Sequence, residues 1–250
     1  TAYVTLEPCA HYGRTPPCAN GLVEAGITRV VIACSDPNPL VAGKGVQILK
    51  NAGIEVLQGV CEAQAAAQNR GFLKAIATGM PYVRLKIASS LDGRTAMASG
   101  ESKWITGTEA RQDVQHWRAI SGVVITGIET VLADDCQLNV RQLDGIADIS
   151  SIVQPKRLVL DRQGRLPLDA KILNVPDTVM VMGPFRQELD DLGVLQFSVQ
   201  PLTDLLQRLA TQHHIYDVLV EAGATLSTAF LQAQLVDEMI SYVAPTFLGQ

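Results

Sequence analysis

Residues 83–106 read VRLKIASSLDGRTAMASGESKWIT. Residues 82–88 alternate apolar side chains with Arg84 and Lys86, the period-two pattern of a half-buried strand. Small residues and an Asp92-Gly93 turn come next. Strands that end this way bring backbone close to a ligand. Lys86 therefore has two readings: a snorkelling lysine on an edge strand, or a cation aimed at a site. On either side of this stretch, strand patterns alternate with helical ones, which makes the fold class α/β.

The chain has 250 residues, enough for one large or two ordinary domains. Hydrophobic residues make up 47% and aromatic ones 5%, a globular rather than a disordered composition. A net charge of −5 and a pI near 5.4 lack the basic face that nucleic-acid binding requires. No apolar run reaches the roughly 20 residues needed to span a bilayer, and no signal peptide is visible. Five cysteines without framework spacing suit a reducing compartment, so a cytoplasmic location is expected, with no membrane and no nucleic-acid partner. The chain opens in a strand (TAYVTL) and closes in another (ISYVAPTFLGQ), which reads as a segment truncated at both ends.

In the first part, EPCAHYGRTPPC sets Cys9 and Cys18 around a loop, each after a proline. A helix over 19–26, a strand over 28–34, a helix over 45–52, a strand over 54–60 and a long helix over 62–78 come after it. Two thiolates at a helix start suit zinc, because the helix N-terminus favours anionic sulfur. Zinc deaminases pair P-C-x-x-C with an upstream H-x-E or C-x-E. Here the spacer is longer, and no H-x-E occurs in the chain. On the residues alone the pair is a metal site or two structural thiols. Cys34, Cys61 and Cys136 fit no ligand spacing and read as small apolar residues.

Gly79-Met80-Pro81 interrupts the pattern and marks a domain boundary. Beyond it come a helix over 108–121 with Thr106 or Thr108 as N-cap, and a buried strand over 122–126. A turn-rich loop over 129–135 and a polar stretch over 142–154 come after that strand. Further strands lie at 157–161, 178–182 and 216–221, helices at 203–213 and up to 234, and the final strand after that. Two constellations stand out. VEAGATLSTAF runs from a buried strand ending in Glu221 through small residues into a helix, which aims backbone N–H groups at an anion. It lacks G-x-G-x-x-G, so a tight turn with a capping threonine remains the other reading. Arg118 and Arg141 come after loops; their guanidinium forks suit a phosphate, or are simply solvated.

Residues 6–18 (LEPCAHYGRTPPC) and 29–45 (RVVIACSDPNPLVAGKG) closely resemble one half of a bifunctional riboflavin-biosynthesis family. That half is a diaminohydroxyphosphoribosylaminopyrimidine deaminase. Residues 85–106, the pattern TVLADD-x-x-L-x-V-R ending at Arg141, and VEAG-x-TL around Glu221 resemble the other half, a 5-amino-6-(5-phosphoribosylamino)uracil reductase. The resemblance implies a cytidine-deaminase-like βαβ domain over 1–80 and a dihydrofolate-reductase-like α/β domain over 81–250. It is weakest over 143–215.

The same resemblance carries roles residue by residue. Cys9 and Cys18 become zinc ligands, with the third ligand, a histidine, and the proton-shuttling glutamate expected upstream of Thr1. The segment itself is then expected to lack deaminase activity. The loop from His11 to Thr15, with Asp36 and Asn38, lies near that substrate. In the second half Ser102, Arg118 and Arg141 hold the ribose phosphate, with Leu138 beside them. Lys86 and Glu221 are the catalytic candidates at the reacting sugar carbon, and Glu221 also binds substrate. Ala88, Trp104, Thr130, Asp134, Gly223, Ala224, Thr225, Leu226, Ser227, Thr228 and Ala229 line NADPH. Two departures appear: Cys136 replaces the usual proline, and Arg162 stands where serine is common. Arg162 is placed with the cofactor set, as a cation for a 2′-phosphate.

The implied partner is a phosphoribosylated pyrimidine, and a homo-oligomer is expected. Two other functions stay open on sequence: a nucleic-acid deaminase, which the acidic pI disfavours, and a non-catalytic deaminase-like scaffold joined to a reductase.

Overall fold

A computed structural model describes residues 1–13, 15–97 and 105–249. The chain divides into two compact units, Thr1–Met80 and Pro81–Gln250.

The first unit is a three-stranded parallel sheet in the order β1 (Ala2–Leu6), β2 (Arg29–Cys34), β3 (Glu55–Gln58). The apolar run RVVIAC forms the middle strand, buried along nearly its whole length, as strands covered on both faces are. Helices α1 (Cys18–Glu24) and α2 (Lys44–Asn51) pack Ala19, Val46 and Leu49 onto Val30 and Ile32. Both stop where Gly26 and Gly53 take positive φ, the usual left-handed exit from a helix. The single helix expected over 62–78 is two, α3 (Glu62–Gln68) and α4 (Arg70–Thr78). Between them Asn69 leaves helical geometry (φ −115°), and its side-chain amide donates to the Ala65 carbonyl at 3.1 Å. A short amide side chain that bonds backbone in this way competes with the helix itself.

The second unit is a seven-stranded sheet, parallel at every pairing, in the order β10-β4-β9-β5-β6-β7-β8. Its elements are β4 (Tyr82–Ser90), α5 (Thr108–Ala119), β5 (Val123–Gly127), α6 (Ile128–Asp134), β6 (Lys156–Leu160), β7 (Val179–Met182), α7 (Gln187–Asp191), β8 (Leu195–Phe197), α8 (Leu202–Gln212), β9 (Asp217–Glu221), α9 (Ala224–Gln232) and β10 (Glu238–Ala244). A core of Val124, Val159, Val181 and Leu219 lies on one face of this sheet, with Leu138, Trp117 and Ile240 against it.

Three expectations change. The strand carrying Lys86 is interior, flanked by β10 and β9, so the edge-strand reading falls. Residues 129–135 are not a turn-rich loop: Gly127 caps α6, and Ile128 and Val131, three apart, bury one face of it on the core. The N-cap of α5 is Gly107 rather than either threonine.

Strand β9 comes late in sequence but sits between β4 and β5. The order along the sheet therefore reverses here, and open α/β sheets bind ligands at such a point, at the carboxyl ends of the strands. No helix among the described residues is long and apolar enough to cross a membrane.

Candidate functional site

At that reversal β4 and β9 pair with Lys86 directly beside Glu221. Parallel strands present paired residues on the same face, so the ammonium and carboxylate share one patch. From α5, packed over this face, Arg118 reaches Glu221 as a fork: Nε donates to Oε1 at 2.6 Å and Nη2 to Oε2 at 2.9 Å. Its Nη1 donates to the Asn139 carbonyl at 3.1 Å. Arg118 and Glu221 are 7% and 8% exposed, so this is a desolvated pair. Burial pushes the Glu221 carboxyl up, but Arg118, Lys86 and Arg141 together hold it below the ordinary glutamate range. Burial lowers Lys86, with Arg118 acting the same way and Glu221 opposing.

The loop after α6 carries the second arginine. Asp135 and Leu138 both take positive φ (45° and 54°), a conformation uncommon outside glycine. Leu138 is held there by burial in the core. Two glutamines fix the backbone at 140–141: Gln154 accepts from Val140 N at 2.8 Å and donates to its carbonyl at 3.0 Å, and Gln115 of α5 accepts from Arg141 N at 2.9 Å. Arg141 thus projects from a clamped backbone. Its side chain is exposed and touches Asn139 Oδ1 at 3.2 Å. The two arginines behave differently: Arg118 spends its fork on Glu221, and Arg141 faces solvent. Cys136, in the position of the expected proline, is half-buried; burial with the Asp134 and Glu221 charges lifts its thiol to about 11.

Beside Glu221, Gly223 caps α9 with exposed Ala224 and Thr225 behind it, and a Cβ on Gly223 would meet only open space. Gly223 has no side chain with which to cap this helix, and among the described residues its first N–H groups have no side-chain cap. Ser227 is buried and donates to the Ala222 carbonyl at 3.3 Å. Leu226 approaches Gly127, where a Cβ would lie 3.6 Å from its Cδ2. The N-termini of α6 and α9 therefore meet at the ends of β5 and β9. Thr130 lies in the first turn of α6, and Asp134 ends it. Ala88 pairs with Tyr242 across β4 and β10. Arg162 is exposed just past β6, in a turn closed by Gly164 N donating to the Asp161 carbonyl at 3.2 Å and Leu166 N to Asp161 Oδ2 at 2.8 Å. Arg165 in that turn pairs with Glu129 of α6. These features suit a dinucleotide phosphate: helix N-termini, small residues and a nearby guanidinium. Ser102 and Trp104 lie outside the described residues.

In the first unit Cys18 N donates to Cys9 Sγ at 3.2 Å, which brings the two sulfurs together at the start of α1. The contact with Cys9 raises the Cys18 thiol. Glu7, buried at 4% exposure, accepts from Gly43 N at 3.1 Å and Val46 N at 3.2 Å, and Gly45 packs so closely that a Cβ would lie 1.9 Å from the Pro8 carbonyl oxygen. The Pro8-Cys9 backbone is thereby fixed on α2. Zinc sites use three or four protein ligands. The pair fits two of them, and among the described residues no group of three such side chains assembles.

Sequence reasoning missed Gln115 and Gln154, which act through tertiary contacts and leave no spacing signal.

The RibD C-terminal domain model matches residues 81–250. The riboflavin biosynthesis protein RibD of Haemophilus influenzae is 48% identical over 259 residues, covering 100% of this chain and 70% of that protein. The Escherichia coli protein of the same name is 45% identical, with 100% and 71% covered. Among solved structures, Acinetobacter baumannii RibD is 76% identical, with a TM-score of 0.95 over 98% of this chain and 68% of that one. The Thermotoga maritima diaminohydroxyphosphoribosylaminopyrimidine deaminase/5-amino-6-(5-phosphoribosylamino)uracil reductase is 33% identical, with a TM-score of 0.86 over 99% and 68%. The matched spans take in both units, and the chain belongs to the RibD family of riboflavin biosynthesis proteins, with a reductase-type C-terminal domain.

Proposed function

We propose that residues 81–250 reduce the ribosyl group of 5-amino-6-(5-phosphoribosylamino)uracil to ribityl, with NADPH as hydride donor. Residues 1–80 belong, in the same reading, to a zinc-dependent deaminase acting one step earlier on the diaminopyrimidine. Lys86 beside an Arg118-held Glu221, at the mouth of two helix N-termini, is the observation that carries the reductase reading.

Gly223 through Ala229, with Thr130, Asp134, Ala88 and Arg162, would hold NADPH, which when bound supplies the hydride. The chain's own residues do the rest. Arg141, with Arg118 behind it, forms a cationic wall for the substrate phosphate, and Leu138 gives it an apolar floor. Glu221 stays ionised and accepts hydrogen bonds from the sugar hydroxyls, which fixes C1′. Lys86 delivers a proton to the ring oxygen as the C1′–O bond breaks and the nitrogen lone pair closes C1′=N, giving an iminium, the form that takes hydride at C1′ and becomes a neutral amine. Cys9 and Cys18 would hold zinc in the first unit as two of its ligands.

Lys86→Met in the full-length protein, supplied with the deaminated substrate, tests this. A proton donor contributes about 10²–10⁴-fold, so kcat for NADPH oxidation should fall by that order while NADPH binding, measured by fluorescence, is retained. Unchanged turnover would remove Lys86 from the mechanism.

A further inference from the structure

Lys86 is approached from a side the mechanism leaves unused. On β10, Tyr242 sits diagonally across from it, and the ammonium lies 5.9 Å from the ring centroid, within range of a cation–π contact. The tyrosine hydroxyl donates to Asp113 Oδ2 of α5, and Trp117 Nε1 donates to the same oxygen at 2.9 Å. Asp113 is exposed, yet it ties an aromatic ring on one element to a helix on another. Burial and Asp113 both push the phenol well up, so the ring remains a neutral hydrogen-bond donor.

We propose that Tyr242 and Asp113 are positioning residues for Lys86: the ring closes the β10 side of the ammonium, and its bond to Asp113 locks that ring against α5. The inference rests on the reading of Lys86 as the proton donor. Among the described residues, the charged and titratable groups around Lys86 are Glu221 from β9, Arg118 from α5 and Tyr242 from β10, with Asp113 behind the tyrosine and Arg141 beyond Glu221. Of these only Tyr242 offers a large apolar surface, so it sets how much water reaches the nitrogen on that side. Losing the ring would remove its attraction for the cation, but burial is the largest influence on Lys86, so the water admitted would raise the ammonium's pKa on balance and weaken a proton donor at neutral pH.

Competitive acetic anhydride labelling of the full-length protein across pH, read at the Lys86 peptide by mass spectrometry, gives the lysine's titration midpoint without turnover. Tyr242→Ala should move that midpoint upward, and kcat for reduction should fall on the order of ten- to a hundredfold with substrate KM little changed. Tyr242→Phe keeps the ring but loses its bond to Asp113, so it should raise the midpoint as Asp113→Ala does, and by less than Tyr242→Ala. Asp113→Ala, at an exposed position, releases the tether without opening the core. It should raise the midpoint in the same direction even where Tyr242→Ala fails to fold. A wild-type midpoint in folded Tyr242→Ala, or in Asp113→Ala, overturns the proposal. Lys86→Met separates the two readings: full activity there removes the lysine from catalysis, whereas the midpoint decides the role of the tyrosine.

Discussion

Arg118 and Glu221, 103 residues apart in sequence, close on each other through two charge-assisted hydrogen bonds of 2.6 and 2.9 Å in a nearly water-free site. The pair joins α5 to the central strand β9 and fixes the carboxylate beside Lys86. Breaking such a pair from one side leaves a bare buried charge, which costs about 3–5 kcal/mol. Glu221→Ala should therefore lower stability by that amount in denaturant titration, on top of any loss of activity. The pH dependence has a definite sign. Glu221 is held below its ordinary 4.5 in the folded chain, so its stabilisation is complete above that pH and is lost as pH falls through the lower folded value. Wild type should lose stability more steeply than Glu221→Ala in that acid window; parallel curves would show that the pair contributes nothing there.

In the proposed reading, Arg141 is the exposed member of the phosphate-binding pair. Losing one partner of a bound anion costs about 2–5 kcal/mol, so Arg141→Ala should raise substrate KM at least on the order of thirtyfold. A dephosphorylated substrate should show almost no difference between the two proteins. Equal losses on both substrates would take the phosphate away from this residue. Gln154→Ala, which frees Val140, should reproduce part of the KM effect.

In the proposed reading, Arg162 selects between two dinucleotides. A single charge-assisted contact with a 2′-phosphate is worth about 1.5–3 kcal/mol. Arg162→Ala should weaken NADPH on the order of tenfold or more and leave NADH nearly unchanged, measured as dissociation constants by fluorescence titration. Equal losses for both would return Arg162 to a solvated turn arginine.

The strand over 82–88 is readable because its alternation survives in the fold, but its place is not. Interior position depends on β9 arriving from the far end of the chain, and no local pattern encodes that. ETVLADD looks like a loop because its threonine and acids favour turns; burial of Ile128 and Val131 outweighs that preference. The short elements α7 and β8 leave too few residues for a period to show. At the site, Glu221 and the arginines stand out as charges beside small residues. That Arg118 faces Glu221 rather than solvent is a tertiary fact. Tyr242 and Asp113, 129 residues apart, meet for the same reason.

The insertion of β9 between β4 and β5 also governs the order of events during synthesis. A ribosome completes β4 and β5 well before residues 217–221 emerge, and until then those two strands lack the neighbour that joins them. Pairings so distant in sequence form slowly and leave open strand edges meanwhile. The nascent reductase-type unit thus passes through a long interval in which Lys86 has no counter-ion and its sheet has a gap. Chaperone dependence should be greatest in that interval, and should end only once β10, which covers the other edge of β4, has also cleared the exit tunnel.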